Sequence, residues 1–528
     1  MRIEATRVDG MPDAAVLLDA LAGASDDVLW LDSSAGAGAG AADPERSRWS
    51  VLAVPDGPFS AAFTHRDGVA TTRAAPAATW FATGSRERPC FPALGDLLAA
   101  VPPMPEPVPG CGFALGWVGY LGYELGRESG GPDRRADGHP DADLRFVDRA
   151  VVLDGVDGVA WVLALVEDHE HGPDDRDDAR GPTATNRAWA VATCSALRAL
   201  VTVPTSAPSG ADPTPALPSV SAATPIAAPG REQRAAYERA VEACREEIRH
   251  GNAFQVCLTT AFAVPVPVAG ARRSGREARP GLAADPAFRT YRRLRDADPV
   301  PFGSFLRLGA VTVASRSPER FLSISAAGRV VAEPMKGTRG RGATPAQDDL
   351  LRAELAASAK DRAENVMIVD LLRNDLLRTA VPGSVHVERL CVVETFATVH
   401  QMVSTVVASV PTGTSRAAVV GAAFPPGSMT GAPKISAMGI IDRLERAPRG
   451  VYSGVVGYFS LSGAVDLAVA IRTLVTVRTR SGGSGDVVRR TLGAGGAVTW
   501  SSTAAAEADE VVTKTRSVLG SLGAVATW

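Results

Sequence analysis

Strand-like runs in this chain are separated by long helical stretches without settling into a regular strand–helix–strand rhythm. That irregular order favours an α+β fold over a doubly wound parallel sheet. In "REQRAAYERAVEACREEIRHGN", Tyr237, Val241, Cys244 and Ile248 recur at helical spacing until Gly251-Asn252 stops the pattern. "AFQVCLTTAFAV" follows and alternates like a strand. Further strands are predicted at 302–314, 320–325, 451–461 and 464–477. One long helix is predicted across 347–377, and a last one from Ala504 to Leu519.

Residues 204–229 carry seven prolines among alanine, serine and threonine, too little bulky apolar surface to fold. A linker over 204–230 therefore divides an N-terminal region, 1–203, from a C-terminal domain, 231–528. The acidic tract "EDHEHGPDDRDD" (167–178) reads as a solvated loop rather than a metal site of His169 and His171, because its glycine, proline and charges fix no geometry. A second polar excursion occupies 271–281. A net charge of −3 gives no electrostatic case for nucleic acid or an anionic membrane. The six cysteines are scattered, with no CxxC, as expected of free thiols in a reducing compartment. No signal-peptide core and no run of about 18 apolar residues is present, so a cytoplasmic protein is expected.

Asp361 and Glu364 lie three apart on the predicted long helix and share a face; Glu507 and Glu510 repeat the spacing on the last helix, with Lys514 one turn on. Two such pairs could converge on a hard cation such as Mg²⁺. Acidic residues at helical spacing more often form a solvated face, so spacing leaves both readings open. "PPGSMTGAPK" (425–434) and "LGAGGAVTWSS" (492–502) read as turns able to present N–H groups to an anion. In "EPMKGTRGRG" (333–342) the lysine precedes the glycine and GxxxxGK[ST] is absent, so a phosphate loop is the poorer reading of Lys336.

Together these blocks resemble, in order over about 231–519, the chorismate-utilising enzymes: "FQVCLTTAF", "PFGSFLRL", "SPERF", "PMKGTRGRG", "SAKDRAENVMIVDLLRNDL", "FPPGSMTGAPKISAMGIID", "YSGVVGYFS", "DLAVAIRTL" and "GAGGAVTW". "VLWLDSSAG" (28–36) and "GFALGWVGYLGYELGR" (112–127) are similar, more loosely, to that family's N-terminal blocks. The resemblance implies a large antiparallel-sheet sandwich with flanking helices. It also implies a chemistry in which Mg²⁺ anchors the ring carboxylate of chorismate, a nucleophile adds at C2, and the C4 hydroxyl leaves with help from an acid. By motif, Glu364 and Glu510 are then the metal ligands, supported by Asp361 and Glu507, and Glu319 of "SPERF" is the acid. Arg472 and Lys514 bind carboxylate, and Tyr452, Thr430, Thr338 and the amides around Gly495 complete the pocket.

Two positions sort the branches. Members that use water carry lysine at the position of Gln255; glutamine there implies amine transfer. Lys336 stands where the anthranilate-forming branch has alanine and the aminodeoxychorismate-forming branch has lysine, and so implies covalent attack at C2 and amination para to the carboxylate. A lysine attacks only as the neutral amine, which desolvation or neighbouring positive charge promotes; Arg339 and Arg341 are expected to supply part of that charge. The nearest alternative is the anthranilate-forming component I; a non-catalytic chorismate-binding paralogue is another. Gln401 in "VHQMVS" stands where many relatives have histidine, which leaves His400 without a catalytic role. Ala497 replaces a common third glycine, and Asp32-Ser33 fits the family's tryptophan pocket only roughly. "PGCGFALG" around Cys111 is loosely similar to a glutaminase loop but lies inside an N-terminal block. Ammonia is therefore expected from a separate glutamine amidotransferase subunit, with free ammonia a poorer substitute.

Overall fold

The structure, a computed structural model, describes residues 1–23, 25–33, 44–134, 138–168, 181–202, 225–266, 281–396, 399–481 and 485–528. His169, His171, the excursion from 271 and most of the proline-rich stretch lie outside these.

Among the described residues the strands make two large antiparallel sheets, one of eleven strands and one of twelve. A short parallel pair, Ile226–Pro229 with Ala524–Thr527, joins the start of the C-terminal region to its end. Alternation along each strand decides which core a side chain enters. In the strand Phe302–Leu308, Leu306 and Leu308 face the other sheet, where they join Leu29, Phe63, Trp117, Leu144, Val313 and Leu467 in one core. Phe305 faces the opposite way and packs with Trp30, Tyr237, Phe288, Tyr291 and Val511 beneath the helices that cover the eleven-stranded sheet. The expected antiparallel sandwich with flanking helices is therefore what the chain forms.

Both sheets mix strands from before and after the proline-rich stretch. Val28–Asp32 pairs with Phe302–Leu308, and Gly116–Leu121 pairs with Val455–Ser460. No helix among the described residues is long and apolar enough to cross a membrane, which says nothing of membrane-spanning strands.

Three local expectations change. The helix predicted over 347–377 is two, Pro345–Ala357 and Ala359–Leu377. Ser358 leaves helical geometry between them and accepts a hydrogen bond from the Asp361 amide, capping the second helix. The predicted strand 464–477 breaks into Val465–Val469 and Thr473–Ser481, because Arg472 takes a left-handed backbone (φ +50°). The glycine run 492–498 is not a turn: it belongs to the strand Gly485–Val498, in register with Gln255–Ala263. Small side chains there let other groups approach the strand closely, which periodicity alone reads as a loop.

Candidate active site

The candidate site forms where the strand Gln255–Ala263, the segment around Glu319, the strand Met335–Gly340 and the helices Ala359–Leu377 and Ala504–Gly520 meet. Glu319 lies at the end of the strand Val311–Ser317, 8% exposed, its carbonyl accepting from the Val469 amide (3.0 Å). Burial pushes its carboxyl group above the ordinary range, while Lys336, the neighbouring Ser428 and Lys514 pull the other way. A carboxyl group so held keeps its proton to higher pH than a free glutamate, as a general acid must.

Lys336 is presented by a β-bulge. Met335 pairs with Val403 and Thr338 with Gln401, so Lys336 and Gly337 together oppose Met402. A bulge re-aims a side chain out of the ladder. Gly337 has φ +78°, and a Cβ there would lie 2.8 Å from that of Asp361, so only glycine fits. Gln401 clamps the turn, donating to Gly337 O (2.9 Å) and accepting from the Thr338 hydroxyl (3.0 Å). Gln401 thus holds backbone. His400, fully buried between Asp348 (3.0 Å) and Thr395 (2.9 Å), is structural. Lys336 makes no hydrogen bond or ion pair with the described residues, yet it is close enough to Glu319, Glu364, Glu510 and Cys257 to act on their charges. Arg339 and Arg341 do not add uncompensated charge beside it, contrary to expectation. Arg339 bonds Glu354 (2.8 Å) and Asp361 (3.2 Å), and Arg341 forks onto Asp348 (2.8 Å).

The two acidic helices do converge. Burial raises the Glu364 carboxyl group, and Glu510 and Asp361 add to the effect against Lys336 and Lys360. Burial also raises Glu507, with Glu510 contributing. Ser502 donates to one Glu507 oxygen (2.7 Å), while the other is buried with no partner. At Glu510 burial acts upward but Lys514, 2.6 Å away, outweighs it and lowers the carboxyl group. Lys514 in turn is raised, Glu510 overcoming burial. Although set deep among other groups, the side chains of Lys514 and Glu510 keep 49% and 43% of their surface accessible, so they line a recess. Among the described residues no three candidate ligands already close around one point. Hard carboxylate oxygens from both helices, one of them without a partner, nonetheless fit a divalent cation such as Mg²⁺.

The remaining predicted residues sort by contact. Gln255 is fully buried, and both atoms of its side-chain amide lack a partner, so it can still bind something. It shares a strand face with Cys257, whose thiol senses Lys336 and Lys514. Lys514 donates to Gly495 O (2.9 Å), so the carbonyl of this glycine helps hold the site's lysine. Tyr452, buried, senses Cys257 and lies against Gly493, where a Cβ would meet its ring at 2.3 Å. The Thr430 hydroxyl donates within its own turn to Gly427 O (3.3 Å). Arg472 pairs with Asp298 (3.3 Å), and its side chain makes no hydrogen bond or ion pair with another of the described site residues. One carboxylate oxygen of Asp32, Oδ2, accepts from Tyr291 (2.8 Å), Arg295 (3.1 Å) and Arg316 (3.2 Å).

A family model described as chorismate binding enzyme matches residues 69–520. The chain belongs to this family. It is 40% identical over 98% of its length to an aminodeoxychorismate synthase of Streptomyces griseus, and spans 64% of that relative. It is 36% identical over 70% of its length to aminodeoxychorismate synthase component 1 of Klebsiella aerogenes, covering 71% of that protein. Its fold matches the crystal structure of anthranilate synthase component I from Streptococcus pneumoniae with a TM-score of 0.66 at 25% identity, covering 89% of this chain and 92% of that one.

Proposed function

We propose that the chain is the chorismate-aminating component of an aminodeoxychorismate synthase. It would convert chorismate and ammonia to 4-amino-4-deoxychorismate, the precursor of p-aminobenzoate for folate or a specialised metabolite. The observation that carries this reading is the unpaired amine of Lys336, presented on a bulge near Glu319, whose carboxyl group burial raises above the ordinary range. Similarity to aminodeoxychorismate synthases of two genera supports it.

Glu364 and Glu510 would hold Mg²⁺, with Glu507 and Asp361 behind them. When bound, the ion supplies positive charge that anchors the ring carboxylate. Lys514, and Arg472 if it leaves Asp298, add cationic contacts to the carboxylates. The Lys336 nitrogen forms a bond to C2 as the ring double bonds shift and the C4–O bond breaks. Glu319 gives its proton to the departing hydroxyl, which leaves as water. Ammonia then bonds at C4, the double bonds shift back, and the C2–N bond to Lys336 breaks with its electron pair returning to the amine. Gln255, uncharged, offers a hydrogen bond but no base that would activate water, which supports amination over hydration.

Ammonia would come from a glutamine amidotransferase partner. Six unpaired, buried cysteines fit a reducing, cytoplasmic setting. The test is incubation with chorismate, Mg²⁺ and ammonium, with and without a lyase that releases p-aminobenzoate, followed by product mass. A para-aminated product that Lys336→Ala abolishes is expected. Fluorescent anthranilate as the main product, or an unchanged rate in Lys336→Ala, refutes the assignment.

A further inference from the structure

A ladder of alternating charges, buried at its centre, runs past the site and takes no part in the bond-making steps. Arg320, the residue after Glu319, forks onto Asp466 through two 3.0 Å contacts and reaches Glu333 with its remaining nitrogen (3.0 Å). Glu333, 6% exposed, also receives Arg46, which continues to Glu394 (2.6 Å). Arg389 closes the ladder on Glu394 (2.6 Å). Three guanidinium groups thus meet three carboxylates: Glu333 is shared by Arg46 and Arg320, and Glu394 by Arg46 and Arg389.

Chain position couples this ladder to the site. Glu333 precedes Lys336 by three residues, and Pro334 between them is pinned by the Ser404 amide (3.1 Å) and the Asn365 side chain (3.3 Å). The strands Arg320–Ile324 and Met335–Gly340 are not neighbours: Arg329–Ala332 and Val399–Ser409 stand between them. No backbone ladder therefore sets the gap between Glu319 and Lys336 directly. The Glu333–Arg320 ion pair spans it in one step, and Arg46 braces it from the N-terminal region.

We propose that Glu333 is a positioning residue, braced by Arg46, that fixes the separation of the Glu319 carboxyl group and the Lys336 amine. This rests on the reading of those two as acid and nucleophile. Without the Glu333 charge, Arg46 and Arg320 would lose a shared buried counter-ion and shift toward Glu394 and Asp466. The two catalytic groups would then move apart.

The test uses the full chain with Glu333→Gln, which keeps volume, and Arg46→Lys, which keeps charge but loses the fork. For Glu333→Gln, kcat for amination is expected to fall at least ten-fold while KM for chorismate stays within two-fold. Arg46→Lys should lower kcat about three-fold in the same way. A second readout needs no turnover: labelling of Lys336 by a small amine-reactive reagent, followed by peptide mass, should run at least three-fold faster in Glu333→Gln. Lowered melting temperature with unchanged kcat per folded molecule and unchanged labelling would make Glu333 merely structural and overturn the proposal. If the wild-type chain does not aminate chorismate, the functional reading fails separately, and unchanged labelling alone overturns the positioning role.

Discussion

At the scale of single residues, Glu319 joins burial to function most directly. Its ordinary value lies near 4.5 and burial raises it, so the folded chain binds a proton there that the unfolded chain has released. Stability from this group is therefore full at low pH and falls as pH rises from about 4.5 through the raised value. Glu319→Gln removes that slope. The difference in melting temperature, variant minus wild type, should grow between pH 5 and pH 8; a constant difference would exclude the raised value. Activity of the variant should move oppositely to its stability. Loss of the acid is expected to lower kcat about 100-fold or more, and wild-type kcat should decline as pH passes the raised value of Glu319. Both catalytic candidates are legible in the sequence because their neighbours in "SPERF" and "PMKGT" are distinctive. Glu333 is not: it reads as one more acidic residue before a proline, and only the fold brings Arg46, 287 positions away, to it. Arg339 and Arg341 mislead for the same reason, since their partners come from the helix Pro345–Ala357 and from Asp361.

At the scale of elements, the break at Ser358 decides how the acidic helix meets the bulge. An uninterrupted helix satisfies the same apolar spacing, so periodicity could not reveal the break; a serine beginning "SAKD" is the cap signal that it overrode. Capping places Asp361 and Glu364 in the first turns of the helix Ala359–Leu377, against Gly337 and across from Glu510. Ser358→Ala should cost about 1 kcal/mol in urea or thermal unfolding and raise the Mg²⁺ concentration giving half-maximal rate several-fold. Unchanged Mg²⁺ dependence would separate the cap from the metal-binding carboxylates. Gly337→Ala combines a positive φ with a 2.8 Å clash against Asp361. It should lose most activity and Mg²⁺ response together, whereas Gly340→Ala, where an added Cβ meets nothing within 4 Å, should keep both. Chelation by EDTA should stop turnover, and added Mg²⁺ should restore it if the carboxylates bind as proposed.

At the scale of the whole molecule, the boundary suggested by composition is not a boundary between sheets. The order of the eleven-stranded sheet places Val28–Asp32 directly beside Phe302–Leu308, so N-terminal strands form part of its interior. In the twelve-stranded sheet, Gly116–Leu121 and Ala142–Val147 continue outward from Val455–Ser460. A fragment 225–528 would expose those edges along with Leu306, Val456 and Leu467, which the N-terminal strands help cover. Unpaired apolar edges of this length promote aggregation. Expressed alone, the fragment should be insoluble or lack a cooperative unfolding transition. A chain opened by a protease site inserted between 204 and 224 should behave differently. Its halves remain paired through both sheets, should co-elute on size exclusion, and should keep the intact chain's rate per molecule. A soluble, cooperatively folding 225–528 fragment would instead make the C-terminal region an autonomous domain and confine the N-terminal strands to a covering role.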